Sequence, residues 1–465
     1  MASKLLLQLQ VFRKRRELER SCHWTGDQLA AHQHRSAADL RRFAISQSPF
    51  YARFHRGMEN RPLEELPILT KSVLMENFDD LVTDRSIRLS DVEEHLNHDD
   101  GNGFYQGRYV ALSTSGSTGL RGVFLFNPGE WLECLASIAR PMKWAGVAPS
   151  PLRRERAVMV ASATPWHYSA RIGRSLETSM LPTLRLDAGE PVEVLVRRLN
   201  DWRPGVLVAY PSVLRQLSEE QLSGRLDIAP RVCATSAEVL TAETRRRVRD
   251  AWNIPVFETY GATEYAPIAA ECPSGRRHLF EDGAVIENTD QHGRPLPPGV
   301  MGERVLLTIF SRRTQPLIRY EISDLVRLSD AKCDCGRPFR CVEEIQGRQE
   351  DVLYFRSFNE PGRLVPVHPN VFHRLLENVP ATGWQVVHED RSLTVNLTGV
   401  HDETDLFRVE LGLLDLFRTE GLAAPPVRAG RVTELRRGAT GKAPLIVSLT
   451  STAKPVQTRA ATGAA

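Results

Sequence analysis

The stretch Val206-Leu-Val-Ala-Tyr-Pro-Ser-Val-Leu-Arg-Gln-Leu217 holds a short apolar run, a Tyr-Pro break, and a second run with apolar residues at helical spacing. Val206 to Ala209 reads as a strand and Pro211 to Leu217 as a helix. The alternation continues on both sides. Ala157 to Ala161 reads as a strand, Pro191 to Leu199 as a helix, and Val232 to Thr235 as a strand. Thr241 to Trp252 then reads as a helix and Val256 to Glu258 as a strand. Strands and helices alternating at this spacing predict an α/β fold whose sheets are mostly parallel and covered by helices.

Upstream, helices are expected over Gly26 to Ser46 and over Thr70 to Asp80, the second opening on a Thr70 cap. Downstream, the turn-rich Asp290-Gln-His-Gly-Arg-Pro-Leu-Pro-Pro-Gly299 leads into apolar runs at Arg304 to Phe310 and Leu317 to Tyr320. That change of pattern predicts an antiparallel β subdomain. Beyond Asp351, helical patterns at Asn370 to Leu376 and Asp405 to Phe417 lie among strand-like runs, which suits a small α+β domain. The expected division is a large N-terminal domain over 1–349, a C-terminal domain over 350–450, and a disordered Ala- and Thr-rich tail over 451–465.

With 42% apolar and 25% charged residues among 465, the chain has the composition of a globular protein with ample core. Sixty basic and 57 acidic side chains nearly cancel, leaving +3 and no reason to expect a nucleic-acid or membrane partner. The first residues place a short apolar run, Leu5 to Phe12, before Arg13-Lys-Arg-Arg16, the reverse of a secretory signal. An exposed basic helix is the expected form. No apolar stretch approaches the roughly 20 residues of a membrane span. Seven unevenly spread cysteines suit a reducing compartment, so the expected location is cytoplasmic, as a monomer or homodimer.

Four segments carry chemistry. Ser113-Thr-Ser-Gly-Ser-Thr-Gly-Leu-Arg-Gly122 follows the strand-like Tyr109 to Leu112 and crowds hydroxyls and glycines together. Such a loop can cradle phosphate, or it can be a bland linker; its spacing is not that of a Walker loop. Glu258-Thr-Tyr-Gly-Ala-Thr-Glu264 lies at the end of a strand, where open parallel sheets bind ligands. There Tyr260 can stack on a base, Thr263 can donate to phosphate and Glu264 can hold Mg²⁺, although a polar turn reads equally well. Arg319-Tyr-Glu-Ile-Ser-Asp324 offers Asp324, expected at a strand end, as an acceptor for ribose hydroxyls, with Arg348 downstream; surface charge on a hairpin is the alternative. Arg437-Gly-Ala-Thr-Gly-Lys442 is by itself only a loop lysine.

The order and spacing of these four segments resembles the adenylate-forming superfamily of acyl-CoA synthetases, adenylation domains and luciferases, in its phenylacetate–CoA ligase-like branch. Ser48-Pro-Phe-Tyr-Ala-Arg-Phe54 and Leu66-Pro-Ile-Leu-Thr-Lys71 resemble that branch's N-terminal signature. The resemblance implies ATP-dependent conversion of a carboxylic acid to acyl-AMP, then transfer to CoA. It assigns Ser113, Thr114, Ser115, Gly116, Ser117, Thr118 and Gly119 to the ATP phosphates. It assigns Ser236, Ala237, Glu238, Tyr260 and Gly261 to adenine and the acid. Thr263 would touch the α-phosphate, Glu264 would bind Mg²⁺, Asp324 would hold the ribose with Arg348 near it, Lys442 would reach the α-phosphate, and Glu350 would lie at a hinge. Departures are Leu120-Arg121-Gly122, where many relatives have Pro-Lys, and Glu321 in the run before Asp324.

Cys272 and His278, with Cys333 and Cys335, offer three thiolates and one imidazole, a good tetrahedral set for structural Zn²⁺ if the fold unites them. Free cysteines are the alternative, and Cys341 is a spare that can replace His278. The acid is expected between Trp166-His167-Tyr168, Tyr210 and Ser236, whose aromatic residues favour an aryl acid or else are plain core. CoA is the acceptor by resemblance. An amine acceptor and a nucleotide-binding pseudoenzyme that recruits partners are the competing readings.

Overall fold

The computed structural model describes residues 2–98, 103–114, 121–147, 154–265, 267–348, 351–360, 362–367, 369–376, 379–381, 383–437 and 443–450. They form two compact units, the first built mainly from Met1–Gln349 and the second mainly from Glu350–Arg436.

The first unit opens with helices, then the antiparallel pair β1 (Val110–Ser113) and β2 (Val123–Phe126). Its nine-stranded sheet contains β3 (Ala157–Ala161), β4 (Thr183–Asp187), β5 (Val206–Ala209), β6 (Val232–Ser236), β7 (Val256–Tyr260), β8 (Ala269–Glu271) and β9 (Arg277–Leu279). A three-stranded sheet holds β10 (Ala284–Thr289), β11 (Arg304–Ile309) and β12 (Tyr320–Ile322). The chain then returns to the large sheet with β13 (Asp324–Ser329) and β14 (Cys341–Arg348), giving the order β13-β14-β9-β8-β7-β6-β5-β3-β4. From β4 to β7 all neighbours are parallel, and from β7 to β13 all are antiparallel.

The parallel half follows from apolar strands covered on both faces. Leu207, Ala209, Val160 and Cys233 share a core with Leu195 and Leu199 of the helix Val192–Trp202 and with Leu214 and Leu217 of Pro211–Leu222. A larger core joins the N-terminal helices, β1–β2 and the three-stranded sheet.

Three expectations are corrected. The helix over Thr70 to Asp80 keeps its Thr70 cap but breaks at Asn77, giving Lys71–Glu76 and Phe78–Leu81. Asn77 turns its amide back onto the Val73 carbonyl at 2.9 Å, competing with helix continuation. The strand expected over Leu317 to Tyr320 starts only at Tyr320, because Arg319 holds a left-handed φ of 48°. The first helix, Ala2–Ser21, is not merely an exposed basic helix. It packs on the helix Pro128–Trp144, whose buried Arg140 donates to Leu18 O at 3.0 Å and to both oxygens of Asp282 at 2.7 and 3.1 Å.

Arg319 is buried and fully engaged. It donates to both Glu287 oxygens at 3.2 and 3.0 Å, to Leu66 O at 2.6 Å and to Gly293 O at 2.6 Å. Its carbonyl accepts from Leu69 N at 3.1 Å, and Leu69 O accepts from Glu321 N at 3.0 Å. The Leu66–Lys71 segment is thereby stitched alongside β12.

The second unit has a pair, β15 (Leu353–Arg356) and β16 (Leu364–Val367), and a four-stranded sheet. That sheet comprises β17 (Gly383–Glu389), β18 (Ser392–Thr398), β19 (Val427–Arg431) and β20 (Ile446–Ser448), in the order β19-β18-β17-β20. Trp384, Val395 and Leu397 bury against Leu413 and Phe417 of the helix Glu403–Thr419. The residues 451–465, expected to be disordered, lie outside the described residues.

Removing one partner of a buried ion pair strands the other charge and typically costs about 3–5 kcal/mol. Arg319→Met is expected to lower the unfolding free energy by that amount in urea denaturation. A loss under about 1 kcal/mol would show that the pair is not what holds the Leu66–Lys71 segment.

Candidate functional site

Strands β1 and β2 hold a loop by its neck. Thr114 N donates to Gly122 O and Gly122 N donates to Thr114 Oγ1, both at 2.9 Å. A Cβ on Gly122 would sit 2.9 Å from the Phe124 ring and 3.3 Å from Thr114 Oγ1, so the neck closes only around glycine. Ser113 is buried, donates its N–H to Trp166 O at 3.2 Å, and accepts from Arg121 Nε at 2.8 Å. Ser115, Gly116, Ser117, Thr118 and Gly119 lie outside the described residues.

Tyr260 ends β7, and its phenol donates to Asp324 Oδ2 at 2.7 Å. Asp324 begins β13 rather than ending a strand, and pairs in register with Arg348, whose Nε lies 3.5 Å from Asp324 Oδ1. Burial, and then the Asp324 charge, push the Tyr260 phenol well above its ordinary pKa, so it stays a donor. Gly261 and Thr263 are half-buried on the following loop, and Glu264 is buried. Tyr320 donates to Glu264 Oε1 at 2.9 Å, which the sequence reading did not anticipate although Tyr320 lies inside the run it singled out.

Beyond β6, Ala237 adopts φ 73°, a left-handed conformation that costs roughly 1–2 kcal/mol for a residue with a Cβ. Next to it, Glu238 accepts from Ser212 N at 3.0 Å, capping the helix Pro211–Leu222 at its positive end. Glu258 belongs to a different cluster: Arg245 and Arg277 pair with it, and Arg245 also pairs with Glu271. It serves the sheet.

The expected acid-site residues divide into two groups. Tyr210 accepts from Ser162 N at 3.0 Å and lies 3.4 Å from Ser169 Oγ, which is 2.9 Å from His167 Nδ1. Tyr168 instead meets Cys134, with its oxygen 2.9 Å from Sγ, and packs edge-on against Trp131. Burial pushes the Cys134 thiol up to about 12, so it stays protonated. Ser236, at the end of β6, pairs in register with Thr259 of β7.

The fold unites the four metal candidates. The donor atoms of Cys272, His278, Cys333 and Cys335 all lie within 4.8 Å of one another. Two turns present them: Gly275 N bonds Cys272 O at φ 75°, and Gly336 N bonds Cys333 O at φ 73°. His278 Nδ1 lies 3.0 Å from the Phe339 carbonyl, an acceptor only, so the proton sits there. That leaves the Nε2 lone pair facing Cys335 Sγ at 3.1 Å. Cys341 approaches the opposite nitrogen, 3.7 Å from Nδ1, and lies outside the cluster.

Lys442 and Glu350 lie outside the described residues. In the second unit, the buried Gln385 donates to Arg436 O at 2.9 Å and Pro444 O at 2.8 Å, and accepts from Arg436 N at 3.2 Å. One amide thus joins the chain before and after the lysine segment, a contact that no local sequence signal announces.

Residues 110–308 match the family described as AMP-binding enzyme. Over those residues the chain is similar to AMP-binding enzymes. It is 26% identical over 310 residues to a phenylacetate-coenzyme A ligase of Thermus thermophilus, covering 63% of this chain and 64% of that protein. It is 23% identical over 401 residues to a fumarate–(S)-2,3-diaminopropanoate ligase of Enterobacter agglomerans, covering 83% and 90%. The match to the Thermus relative spans just under two thirds of that protein's length. The fold is that of a 2-hydroxyisobutyryl-CoA ligase in the postadenylation state, with TM-score 0.73 at 17% identity over 92% of this chain and 91% of that one. The AMP-binding segment runs from the first residue of β1 into β11, and so contains the loop neck, Ala237, Tyr260 and Glu264.

A hydrogen bond to a charged group contributes about 1.5–3 kcal/mol. Tyr320→Phe removes only the donor to Glu264, and thermal unfolding is expected to show a loss in that range. An unchanged midpoint would mean that this bond adds nothing to the stability of the site.

Proposed function

We propose that this chain uses ATP to convert a carboxylic acid to acyl-AMP with release of pyrophosphate, and then transfers the acyl group to CoA. The observation that carries the reading is a pair of tyrosine–carboxylate contacts, the partly buried Tyr260–Asp324 and the buried Tyr320–Glu264, each joining the segment that matches AMP-binding enzymes to the strands that follow it. On this reading Asp324 accepts the ribose hydroxyls, with Arg348 beside it. Ser113–Gly119 embrace the phosphates, Ala237, Glu238 and Gly261 border the nucleotide, and Thr263 donates to the α-phosphate.

The chemical difficulty is a carboxylate attacking an anionic phosphorus. Its oxygen bonds to Pα while the bond to the bridging oxygen breaks, and the electron pair leaves on pyrophosphate. Lys442 offsets the charge that builds on Pα. Glu264, a buried carboxylate oriented by Tyr320, suits Mg²⁺, which when bound supplies further charge neutralisation at the phosphates. Glu350 is the hinge in this scheme.

His167, Tyr168, Tyr210 and Ser236 border the acid in this scheme, and the aromatic surfaces of Trp166, Tyr168 and Tyr210 favour a planar, aryl acid. The similarity to the fumarate–(S)-2,3-diaminopropanoate ligase over most of its length supports a second reading, with an amine as acceptor. For the cysteine–histidine cluster, three thiols and an imidazole whose Nδ1 is held by a carbonyl are the donor set of a structural Zn²⁺ site. Its ligands would come from the β8–β9 turn (Cys272), β9 (His278) and the β13–β14 turn (Cys333 and Cys335). No disulfide joins any of the seven cysteines, all of which are among the described residues, and that suits a cytoplasmic location.

Acid-dependent exchange of pyrophosphate into ATP, across aryl and aliphatic acids, tests the first step. Exchange with aryl acids is expected, followed by thioester on adding CoA. Exchange without thioester would favour the amine acceptor, and no exchange with any acid would favour a nucleotide-binding interaction module. Lys442→Ala is expected to lower adenylate formation by about a hundred- to a thousandfold, while transfer from supplied acyl-AMP is much less affected. Equal loss in both would sink the assigned role. Metal analysis of purified protein should give about one zinc per chain; less than about half would count against the zinc assignment.

A further inference from the structure

The helix Ala2–Ser21 has two faces, and the fold accounts for only one of them. Leu7 and Val11 pack on the main core, and Leu18 offers its carbonyl to the buried Arg140. Those contacts set which way the helix is turned. On the other side Leu6, Leu9 and Phe12 are 58%, 59% and 50% exposed, and Arg13, Arg16 and Arg20 are exposed beside them. At about 100° per residue all six fall within an arc of roughly 120°, opposite Leu7 and Val11. The Arg16 guanidinium carbon lies 5.8 Å from the Phe12 ring centroid, so the apolar and basic parts meet in one surface. Neighbouring charges are already spent: Lys14 pairs with Glu17 at 3.0 Å, Arg15 with Glu19 at 3.2 Å and Lys143 with Glu19 at 2.7 Å. Arg13, Arg16 and Arg20 join no ion pair among the described residues. The net charge of +3, taken over the whole chain, hides this local excess.

The chemistry of the face selects what covers it. Three apolar side chains supply only a fraction of the roughly 800 Å² that each partner of a stable dimer buries. A second copy would also bring more arginine to the contact rather than acid. A nucleic acid would pair with the arginines but leave the leucines and the phenylalanine in water. An anionic lipid surface satisfies both parts. Leucine and phenylalanine enter the boundary of the acyl chains, while long arginine side chains hold their guanidinium groups at the level of the phosphates. We propose that the outer face of Ala2–Ser21 docks this chain on an anionic membrane surface. The helix lies in the interface; among the described residues none is long and apolar enough to cross a membrane. The inference does not depend on the adenylation reading.

Flotation of the full chain with vesicles of phosphatidylcholine alone, and of phosphatidylcholine with an equal part of phosphatidylserine, tests this. Binding to the anionic vesicles is expected, falling as salt is raised, with little binding to the neutral ones. Replacing Arg13, Arg16 and Arg20 by Gln should weaken it roughly a hundredfold. Leu9→Ser combined with Phe12→Ser should weaken it roughly ten- to a hundredfold. All five side chains are exposed, so the thermal unfolding midpoint of both variants should stay at the wild-type value. No binding of wild type to either vesicle, or binding that ignores salt, would overturn the proposal without need of a variant. Undiminished binding after the Leu9 and Phe12 substitutions would overturn it as well. So would a concentration-dependent dimer, seen by sedimentation, that those two substitutions abolish.

Discussion

The guanidinium of Arg319 is the point on which the part of the first unit that holds Tyr260, Glu264 and Asp324 depends. One side chain closes a pair with Glu287 of β10 and ties down the Leu66 carbonyl and the Gly293 turn. Its backbone, forced to φ 48°, delays β12 until Tyr320. The next residues in sequence are then delivered in order. Tyr320 reaches Glu264, and Asp324 opens β13 opposite Arg348 and within reach of Tyr260. A buried cation satisfied on all sides is expensive to assemble and unforgiving once formed, which makes it suitable as a fixed reference for the loops around it.

The two tyrosine–carboxylate contacts differ in what they leave open. Asp324 keeps one oxygen toward Arg348 at 3.5 Å, a long contact that a hydroxyl can displace. Glu264 is buried and accepts from a phenol that burial keeps protonated. The first arrangement suits a group that exchanges partners during turnover, and the second suits one held in a single orientation.

Much of this was legible from the sequence because the relevant signals are local. Val206–Leu217 declares a strand and a helix by periodicity alone, and Thr70 caps a helix as its side chain predicts. The failures have two causes. The Thr70–Asp80 helix breaks where Asn77 turns its amide onto the nearby Val73 carbonyl, whereas the Leu317–Tyr320 strand shifts because Arg319 answers to distant partners. The same holds in the site. Glu264 and Asp324 stand out by position, whereas their tyrosine donors come from strands distant in sequence. The cysteines and histidine needed the β8–β9 and β13–β14 turns to become a cluster, and only the Phe339 carbonyl decides which imidazole nitrogen is available.

Gln385 has a consequence for how such a chain can change over time. Its amide fixes the chain on either side of residues 437–443 using backbone groups of Arg436 and Pro444, so the anchorage is indifferent to what the intervening side chains are. Substitutions, and even changes of length, between those two points need not disturb the sheet that carries them. What holds the two ends in place is thus separate from whatever chemistry the side chains between them perform.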